Sequence, residues 1–329
     1  MVELSVVIPV YRCADCLVML HERLVTALQS AVASFEIVFV DDRSPDDSWL
    51  TLQRLAGADE RVRALRLSRN FGQHAAITAG LAESRGKWTV VMDCDLQDPP
   101  EEIPRLYRRA LEGYDIVFAR RKRRRDSWIR RLAARAYFWL MNRFLGTDVD
   151  GEYGSFSIMS AQVREAYLSL GDRARHYLSI LHWVGFRRTA IDVQHAERYA
   201  GSSSYTLGRL LRHAADGVFF QTTILLRWIV YLGFSLALLG ALLAIFIIAV
   251  YFVASPYPGW TSLAVLFLLL GGFIIMSTGV AGLYIGKIFE QVRGRPLYVI
   301  DHRVGHGIQE IIVGESSPDK DVSLRAPRD

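Results

Sequence analysis

Apolar and polar positions in the first part of the chain follow two alternating patterns. Short apolar runs rich in β-branched residues predict strands, and longer segments with apolar residues at helical spacing predict helices. The predicted strands are Leu4 to Val10, Phe35 to Val40, Arg63 to Ser68 and Trp88 to Met92, and the predicted helices are Cys16 to Ala33, Asp46 to Gly57 and Gln73 to Ser84. This alternation is typical of an α/β domain with a mainly parallel sheet and helices on both faces.

Candidate ligand-binding residues follow each predicted strand at its carboxyl end. In chain order they are Pro9 and Tyr11, Asp41 and Asp42, Arg69 and Asn70, and Asp93 and Asp95. Ligands of open α/β sheets bind in a crevice beyond the carboxyl ends of the strands. The sequence therefore predicts that four strand ends converge on one ligand site.

Asp93 and Asp95 form an Asp-x-Asp motif directly after the apolar run of the fourth strand. Proteins hold Mg2+ with one or two carboxylates while substrate phosphates supply further oxygens, and Mn2+ accepts the same kind of ligand. An acidic turn after a strand would have the same sequence pattern. Because the neighbouring strand ends also carry ligand-binding residue types, we favour a site for Mg2+ or Mn2+ that a diphosphate completes.

Two long segments in the C-terminal part contain no charged residue, Trp228 to Ala254 and Thr261 to Ile285. Each is long enough to cross a bilayer as a helix. Positively charged residues flank the outer ends of the pair, namely Arg227, Lys287, Arg293 and Arg295. The short connector, Ser255 to Trp260, has no Lys or Arg, and positive residues favour the cytoplasmic side. We therefore expect two transmembrane helices in the inner (plasma) membrane with both termini cytoplasmic. A buried hairpin in a soluble protein is the alternative.

Composition and charge refine this prediction. The chain has 329 residues, 51% of them hydrophobic, and a net charge of +5, enough for one large domain and a membrane segment.

The basic run Arg120 to Arg125 could bind nucleic acid. It precedes residues 127–145, where arginines and apolar residues occur together at helical spacing, as in helices that lie in a membrane interface. Residues 207–226 are a second candidate. We expect interface helices and no nucleic-acid partner, with ordinary amphipathic surface helices as the alternative.

These features divide the chain into three parts. We expect a cytoplasmic α/β domain over residues 1–226, a transmembrane hairpin over 227–286 with helices at 228–254 and 261–285, and a cytoplasmic tail over 287–329. The tail contains a short strand-like piece, Pro296 to Ile300, that could pair with another subunit, and its last part, from Gly314 on, has a disordered composition.

Three cysteines in a cytoplasmic domain predict no disulfide framework. Cys13 and Cys16 have the spacing of a redox motif, but the surrounding residues do not support that chemistry. We expect small, partly buried thiols.

Four segments carry a resemblance to a known family. They are Pro9-Val10-Tyr11, Val40 to Asp46, Arg69 to His74, and Asp93 to Glu102. Together they resemble the family 2 inverting glycosyltransferases with the GT-A fold. With the two hydrophobic segments, the chain is similar to the polyprenyl-phosphate branch of that family, which includes dolichol-phosphate-mannose synthase and the undecaprenyl-phosphate glucosyltransferases and aminoarabinose transferase.

The resemblance implies a nucleotide-sugar site on the first four strand ends. Pro9, Tyr11, Asp41, Asp42 and Arg69 would contact the nucleotide-sugar. Asp93 and Asp95 would hold the metal, with Gln97 supporting the same site and Asp95 acting in catalysis. The family often has Asn-Glu after the tyrosine, where this chain has Arg12 and Cys13.

The resemblance also implies an acceptor side. Arg121, Arg124, Arg198 and Ser203 would contact phosphates of the lipid or the donor, and Arg121 would also act in catalysis. Ser204 stands where the family has a lysine. Ser155 occupies the position of a base proposed in some relatives, and Glu152 precedes it as in the aminoarabinose-transferring branch. A phosphate monoester has its second pKa at about 6, so the acceptor is mostly ionised without a strong base.

The implied activity is inverting transfer of a sugar from a nucleotide-sugar, UDP favoured over GDP, to a polyprenyl phosphate such as undecaprenyl phosphate. The product would serve cell-envelope glycan or lipid A modification, and relatives suggest a homo-oligomer, a tetramer by resemblance. Two alternatives stay open: a processive membrane polysaccharide synthase and a non-catalytic membrane scaffold.

Overall fold

The computed structural model describes residues 2–121, 153–172, 175–193 and 260–306, together with single helical residues between 229 and 245. Several predicted features lie outside these residues. They are the interface helices at 127–145 and 207–226, most of the first membrane segment at 228–254, and the tail beyond residue 306.

The described elements confirm the predicted alternation of strands and helices. The strands are β1 (Leu4–Val10), β2 (Phe35–Asp41), β3 (Val62–Leu67), β4 (Trp88–Val91), β5 (Ile116–Arg121), β6 (Tyr153–Ser160), β7 (Arg188–Val193) and β8 (Ile300–Val304). The helices are α1 (Ala14–Leu28), α2 (Ser48–Ala58), α3 (Gln73–Glu83), α4 (Ile103–Leu111), α5 (Ala161–Ser169), α6 (Tyr177–Trp183) and α7 (Trp260–Val292), with a 3-10 turn at Pro100–Glu102 before α4.

The eight strands form one mixed sheet in the order β7-β5-β6-β4-β1-β2-β3-β8. Its centre is parallel, because β1 pairs in parallel with both β2 and β4, and β2 with β3. Two strands depart from the mainly parallel expectation: β6 runs antiparallel to β4 and β5, and β8 runs antiparallel to β3. The parallel centre brings the carboxyl ends of β1, β2, β3 and β4 to one edge.

Both faces of the sheet are covered by helices, which explains why most residues of the central strands are apolar. In β1, the alternate residues Leu4, Val6 and Ile8 face the core that contains α1, α2 and α4, and Val7 faces the core that contains α3, α5 and α6. A strand buried on both faces has a continuous apolar sequence instead of an alternating one.

The C-terminal part joins the sheet through one strand. Helix α7 exposes large apolar side chains along its length, among them Phe267, Ile285 and Phe289. Over the residues whose side chains are described, no helix is long and apolar enough to cross a membrane.

After α7 the chain returns to the sheet, and β8 pairs with the edge strand β3 of the same chain. From the sequence, the strand-like piece at Pro296 to Ile300 could pair with another subunit. The observed strand starts later, at Ile300, and covers an edge of its own sheet that would otherwise expose unpaired backbone groups.

Candidate active site

Asp93 lies just beyond the carboxyl end of β4, where two other elements bind its side chain. Its Oδ1 accepts a hydrogen bond from Gln73 Nε2 at 2.7 Å and another from Ser155 Oγ at 2.7 Å. Gln73 begins α3 and Ser155 lies on β6, so residues far apart in the chain orient one carboxylate. Charge-assisted hydrogen bonds of this length are among the stronger ones in proteins.

Asp95 lies in the same loop, and its Oδ1 accepts a hydrogen bond from the backbone N–H of Gln97 at 3.2 Å. Between them, Leu96 has φ of 62°. This left-handed conformation is uncommon for a residue with a branched side chain and tightens the loop. The predicted metal-binding pair is therefore held in a tight turn, and Gln97 contributes to the turn through its backbone.

The chemistry of the Asp93 and Asp95 side chains fits a hard divalent cation. Among the described residues, no group of three or more His, Cys, Asp or Glu side chains could hold a metal ion, and the Asp93 and Asp95 motif offers two carboxylates. Mg2+ is bound in this way when substrate phosphates and water supply the remaining oxygens. Mg2+ or Mn2+ thus fits the site together with a diphosphate.

Asp41 is fully buried at the end of β2. Its Oδ1 accepts a hydrogen bond from the backbone N–H of Ser44 at 2.9 Å, and its Oδ2 lies 3.3 Å from Arg66 Nε without hydrogen-bond geometry. Burial raises the pKa of the Asp41 carboxyl, although Ser44 and Arg66 oppose that shift. Oδ2 thus remains a buried acceptor with no hydrogen-bond donor among the described residues.

Asp42 has a different environment. Its two oxygens accept hydrogen bonds from the backbone N–H groups of Phe71 and Gly72, at 2.7 and 2.8 Å. Burial raises the pKa of the Asp42 carboxyl, while these two bonds lower it. Gly72 has φ of 95°, and Gln73 follows it at the start of α3. Asp42 therefore fixes the turn that places Gln73 against Asp93.

The loop after β1 is more exposed. Tyr11 is 44% exposed, and the Arg12 guanidinium lies 5.5 Å from the centre of its ring. The backbone N–H of Arg12 donates to Ser44 Oγ at 3.2 Å, which ties this loop to the one after β2. Pro9 is buried within β1, and Arg69, after β3, lies over the Phe71 ring at 4.3 Å.

A disulfide joins Cys13 to Cys94, with Cα atoms 6.4 Å apart. The expectation of no disulfide and of a free thiol at Cys13 was wrong. The physical reason is that β1 and β4 are neighbours, so the loops that follow them are adjacent although 81 residues separate the cysteines. Cys16 is free and buried, and burial together with the Asp95 and Asp15 carboxylates raises its pKa.

The predicted acceptor residues are described only in part. Arg121 ends β5, where its backbone pairs with Val193 of β7. Glu152, Arg124, Arg198 and Ser203 lie outside the described residues. Ser155, at the position of a base proposed in some relatives, donates its hydroxyl hydrogen to Asp93.

Gln73 is a site residue that was not predicted from the sequence. The residue lies within Arg69 to His74, one of the segments that carries the family resemblance, and it directly follows the glycine that precedes α3. Its position at the start of a helix beyond a strand end was the available signal. Its partner could not be read from the sequence, because Asp93 lies 20 residues further on.

Comparisons with known proteins identify the family of this chain. The model of the family described as glycosyl transferase family 2 matches residues 5–168. An undecaprenyl-phosphate 4-deoxy-4-formamido-L-arabinose transferase of Serratia proteamaculans is 38% identical over 94% of this chain and 97% of that protein. An uncharacterized glycosyltransferase of Synechocystis sp. is 34% identical over 91% of this chain and 95% of that protein.

Among solved structures, a glucosyl-3-phosphoglycerate synthase from Mycobacterium tuberculosis is 18% identical and covers 66% of this chain and 77% of that chain, with a TM-score of 0.45. The family assignment rests on the family model and the two long sequence matches. The chain belongs to glycosyltransferase family 2 and is an enzyme of that family, with a Rossmann-like GT-A domain.

Proposed function

We propose that this enzyme transfers a sugar from a UDP-sugar to undecaprenyl phosphate, with inversion at the anomeric carbon, at the cytoplasmic face of the inner membrane. The observation that carries the proposal is the Asp93 carboxylate, which Gln73 and Ser155 orient beyond the carboxyl ends of the parallel strands. The acceptor follows from the similarity to an undecaprenyl-phosphate transferase over nearly the whole chain.

The environment of Asp41 supports a nucleotide whose base presents an N–H donor. Its buried Oδ2 has no hydrogen-bond donor among the described residues, and a buried acceptor is costly unless a donor satisfies it. The imide N–H of uracil and the N1–H of guanine are such donors, whereas the corresponding edge of cytosine has only an acceptor. Tyr11, exposed beside this loop, offers a ring against which a base can stack.

The diphosphate would lie beside Asp93 and Asp95. When bound there, Mg2+ or Mn2+ supplies positive charge that stabilises the departing nucleoside diphosphate. Gln73 and Ser155 hold Asp93 in one orientation, and Asp42 holds the turn before Gln73. Preorganised groups of this kind lower the barrier because they need no rearrangement during the reaction.

The acceptor needs positioning more than deprotonation. A phosphate oxygen of the lipid attacks the anomeric carbon, and the bond from that carbon to the nucleoside diphosphate breaks. Because the lipid phosphate is mostly dianionic above a pKa of about 6, no side chain has to remove a proton. Arg121, Arg124, Arg198 and Ser203 are proposed to hold the phosphates. The arginines suit this role because a guanidinium presents several donors and stays charged.

Membrane attachment is part of the proposal. The charge-free segments Trp228 to Ala254 and Thr261 to Ile285 support a transmembrane hairpin, and the apolar side chains exposed on α7 agree with a lipid-facing helix. The product, a lipid-linked sugar, would supply cell-envelope glycan or lipid A modification.

The test uses the full-length protein in lipid nanodiscs with a panel of labelled UDP-sugars and GDP-sugars and undecaprenyl phosphate. We expect label in the lipid extract from at least one UDP-sugar, loss of transfer with a chelator and recovery with Mn2+. Asp95→Asn should lower transfer by roughly a hundredfold or more. Asp47→Asn is the matched control, since Asp47 is exposed outside the site.

Three results would contradict the proposal. Label in a long polymer instead of the lipid extract indicates a polysaccharide synthase. Absence of transfer with every donor indicates a scaffold. Full transfer in the presence of chelator excludes the role given to Asp93 and Asp95.

A further inference from the structure

We propose that Cys13 and Cys94 form a thiol–disulfide redox switch of the donor site, in which the bridge holds two site loops together and its reduction releases them. The inference takes the identity of the nucleotide from the proposed function, but the bond and its effect on the loops do not depend on that function.

The disulfide joins the loop after β1 to the loop after β4, and both loops carry residues proposed to bind the nucleotide-sugar donor. Cys13 lies two residues after Tyr11, and Cys94 lies between Asp93 and Asp95. The Cα atoms are 6.4 Å apart, within the range that natural disulfides span without backbone movement. Any change at Cys94 therefore acts directly on the backbone that carries both carboxylates.

Both loops contain a backbone conformation that needs support. Arg12, adjacent to Cys13, has φ of 58°, and Leu96, two residues after Cys94, has φ of 62°. Non-glycine residues rarely adopt this left-handed region and keep it only where the surroundings enforce it. The bridge is a covalent restraint next to both residues. We therefore expect its loss to let both loops relax toward commoner conformations.

The two sulfur atoms differ in access. Cys94 is only 7% exposed, whereas Cys13 is half-buried beside the exposed residues Tyr11 and Arg12. An external thiolate would therefore attack Cys13 Sγ. Cys16, the remaining cysteine, is free and 5% exposed, which makes it a poor competitor for exchange.

The exchange is balanced with a dithiol reductant, small or protein-borne. One thiolate of the reductant attacks Cys13 Sγ, the Cys13–Cys94 bond breaks, and Cys94 leaves as a thiolate that takes up a proton. The second thiol of the reductant then attacks the mixed disulfide, releases Cys13 as a thiol and becomes oxidised to a disulfide. Oxidation by a disulfide of the same class reverses both steps. Disulfides in cytosolic proteins are usually of this reversible kind.

The first experiment reads the bond and the loops without any ligand. The full-length protein in nanodiscs is treated with diamide or with dithiothreitol, alkylated and analysed by peptide mapping and hydrogen exchange. We expect a Cys13–Cys94 peptide and alkylated Cys16 after diamide, and three alkylated cysteines after dithiothreitol. Amide exchange in residues 11–13 and 93–96 should be about tenfold faster in the reduced protein. Absence of the linked peptide, or equal exchange in the two states, overturns the proposal.

The second experiment measures binding of UDP with Mn2+ by calorimetry and by the Mn2+ resonance signal. We expect about tenfold weaker binding after reduction, which corresponds to about 1.4 kcal/mol. The double variant Cys13→Ser with Cys94→Ser should bind with the affinity of the reduced protein whether or not dithiothreitol is present. Cys16→Ala is the matched control and should keep the response to dithiothreitol.

The outcomes separate the switch from the proposed function. If the reduced protein binds equally or more tightly, or if the double variant still responds to dithiothreitol, the switch is excluded. If UDP binds in neither state while the mapped bond and the loop exchange respond to reduction, the switch stands and the assignment of a uridine nucleotide fails.

Discussion

Asp93 accepts two hydrogen bonds on one carboxylate oxygen. The two donor residues lie far from it in the chain, and we infer that they orient this carboxylate. Gln73 Nε2 and Ser155 Oγ both donate to Oδ1 at 2.7 Å. Two donors on one oxygen limit rotation of the carboxylate. Residues that orient a metal-binding carboxylate affect metal affinity and activity even though they do not contact the substrate.

Substitutions of Ser155 can show whether this residue orients the Asp93 carboxylate or acts as a catalytic base. Ser155→Ala removes one donor to Asp93, and we expect kcat/KM to fall by roughly tenfold to a hundredfold with a higher requirement for Mn2+. Ser155→Thr keeps the hydroxyl and should retain most of the activity. Steady-state kinetics at several Mn2+ concentrations checks both variants. A loss that excess Mn2+ does not reduce would contradict the orienting role.

Gln73 and Ser155 should behave as a coupled pair, because they bind the same oxygen. We expect Gln73→Ala to resemble Ser155→Ala, and the double variant to differ from the sum of the two single effects. The measurement is a double-mutant cycle on Mn2+ affinity, read from the Mn2+ resonance signal. Strict additivity would show that the two residues act independently.

Asp59, outside the candidate site, is a residue whose pKa depends on its neighbours. Burial would raise the pKa of its carboxyl, but hydrogen bonds from the Arg61 side chain and backbone and from His21 outweigh burial and lower the pKa well below its usual value. A lowered pKa in the folded state stabilises the protein above the unfolded-state pKa of about 3.9, and this stability is lost as the pH falls.

Asp59→Asn should therefore destabilise the protein at pH 7 by about 1–3 kcal/mol. The difference from the unsubstituted protein should shrink as the pH falls below about 4, because the Asp59 carboxyl of the unfolded chain then becomes protonated while the folded protein still holds it ionised. Thermal unfolding in detergent across this pH range measures both effects. The exposed Asp47→Asn is the control, and an Asp59→Asn effect of equal size at low and neutral pH would contradict the assignment.

At the scale of elements, β8 is the strand whose place in the sheet is least expected from the sequence. It pairs antiparallel with β3, and two of its side chains contact residues near the candidate site. Asp301 forms an ion pair with Arg43 at 2.5 Å, and the His302 ring stacks near Trp49 with the ring centres 6.2 Å apart. Arg43 follows Asp42, so the chain after α7 contacts the loop that carries two predicted nucleotide-binding residues.

Gly305 ends β8 against the backbone of β3. It has φ of 126°, and a Cβ at this position would lie 2.6 Å from the Val62 carbonyl oxygen. Gly305→Ala should therefore displace the end of β8 and lower stability by about 1–3 kcal/mol, with faster amide exchange in Ile300–Val304. Hydrogen exchange with mass spectrometry reads the strand directly.

Gly57→Ala is the matched control for Gly305→Ala. Gly57 lies in α2, and nothing lies within 4 Å of its added Cβ. Alanine is the better helix former, so this variant should be neutral or slightly stabilising. Protection of β8 that is unchanged in Gly305→Ala would show that β8 tolerates the added carbon.

At the scale of the whole molecule, the membrane hairpin and the cytoplasmic position of the domain are predictions that rest on the sequence. The positive residues at the outer ends of the predicted hairpin favour a connector on the opposite side of the membrane from the sheet. A homo-oligomer likewise stays a prediction.

Single cysteines test this topology. Tyr257→Cys, in the connector, should react with a membrane-impermeant maleimide in right-side-out vesicles, and Ser30→Cys, exposed after α1, should react only after the vesicles are opened. The native cysteines lie in the domain predicted to face the cytoplasm and should also be protected in sealed vesicles. Labelling of Ser30→Cys in sealed vesicles, or protection of Tyr257→Cys, would reverse the proposed orientation.

The sequence by itself determined the local elements and the acidic motif. The apolar run Leu4–Val10 and the helical spacing of apolar residues in Ala14–Leu28 were readable because each pattern is set by residues within one element. The position of Asp93 directly after a buried strand was readable for the same reason. The antiparallel pairing of β6 and β8 could not be read from the sequence, because no local pattern specifies which distant strand becomes a neighbour.

Only the tertiary structure decided which distant residues meet. Cys13 pairs with Cys94 instead of Cys16 because neighbouring parallel strands bring their following loops together. Gln73 and Ser155 meet at Asp93 because α3 begins, and β6 passes, beside the end of β4. Backbone periodicity encodes which face of an element is buried, whereas contacts between elements depend on how the whole sheet is ordered. That order is fixed by the packing of both cores together.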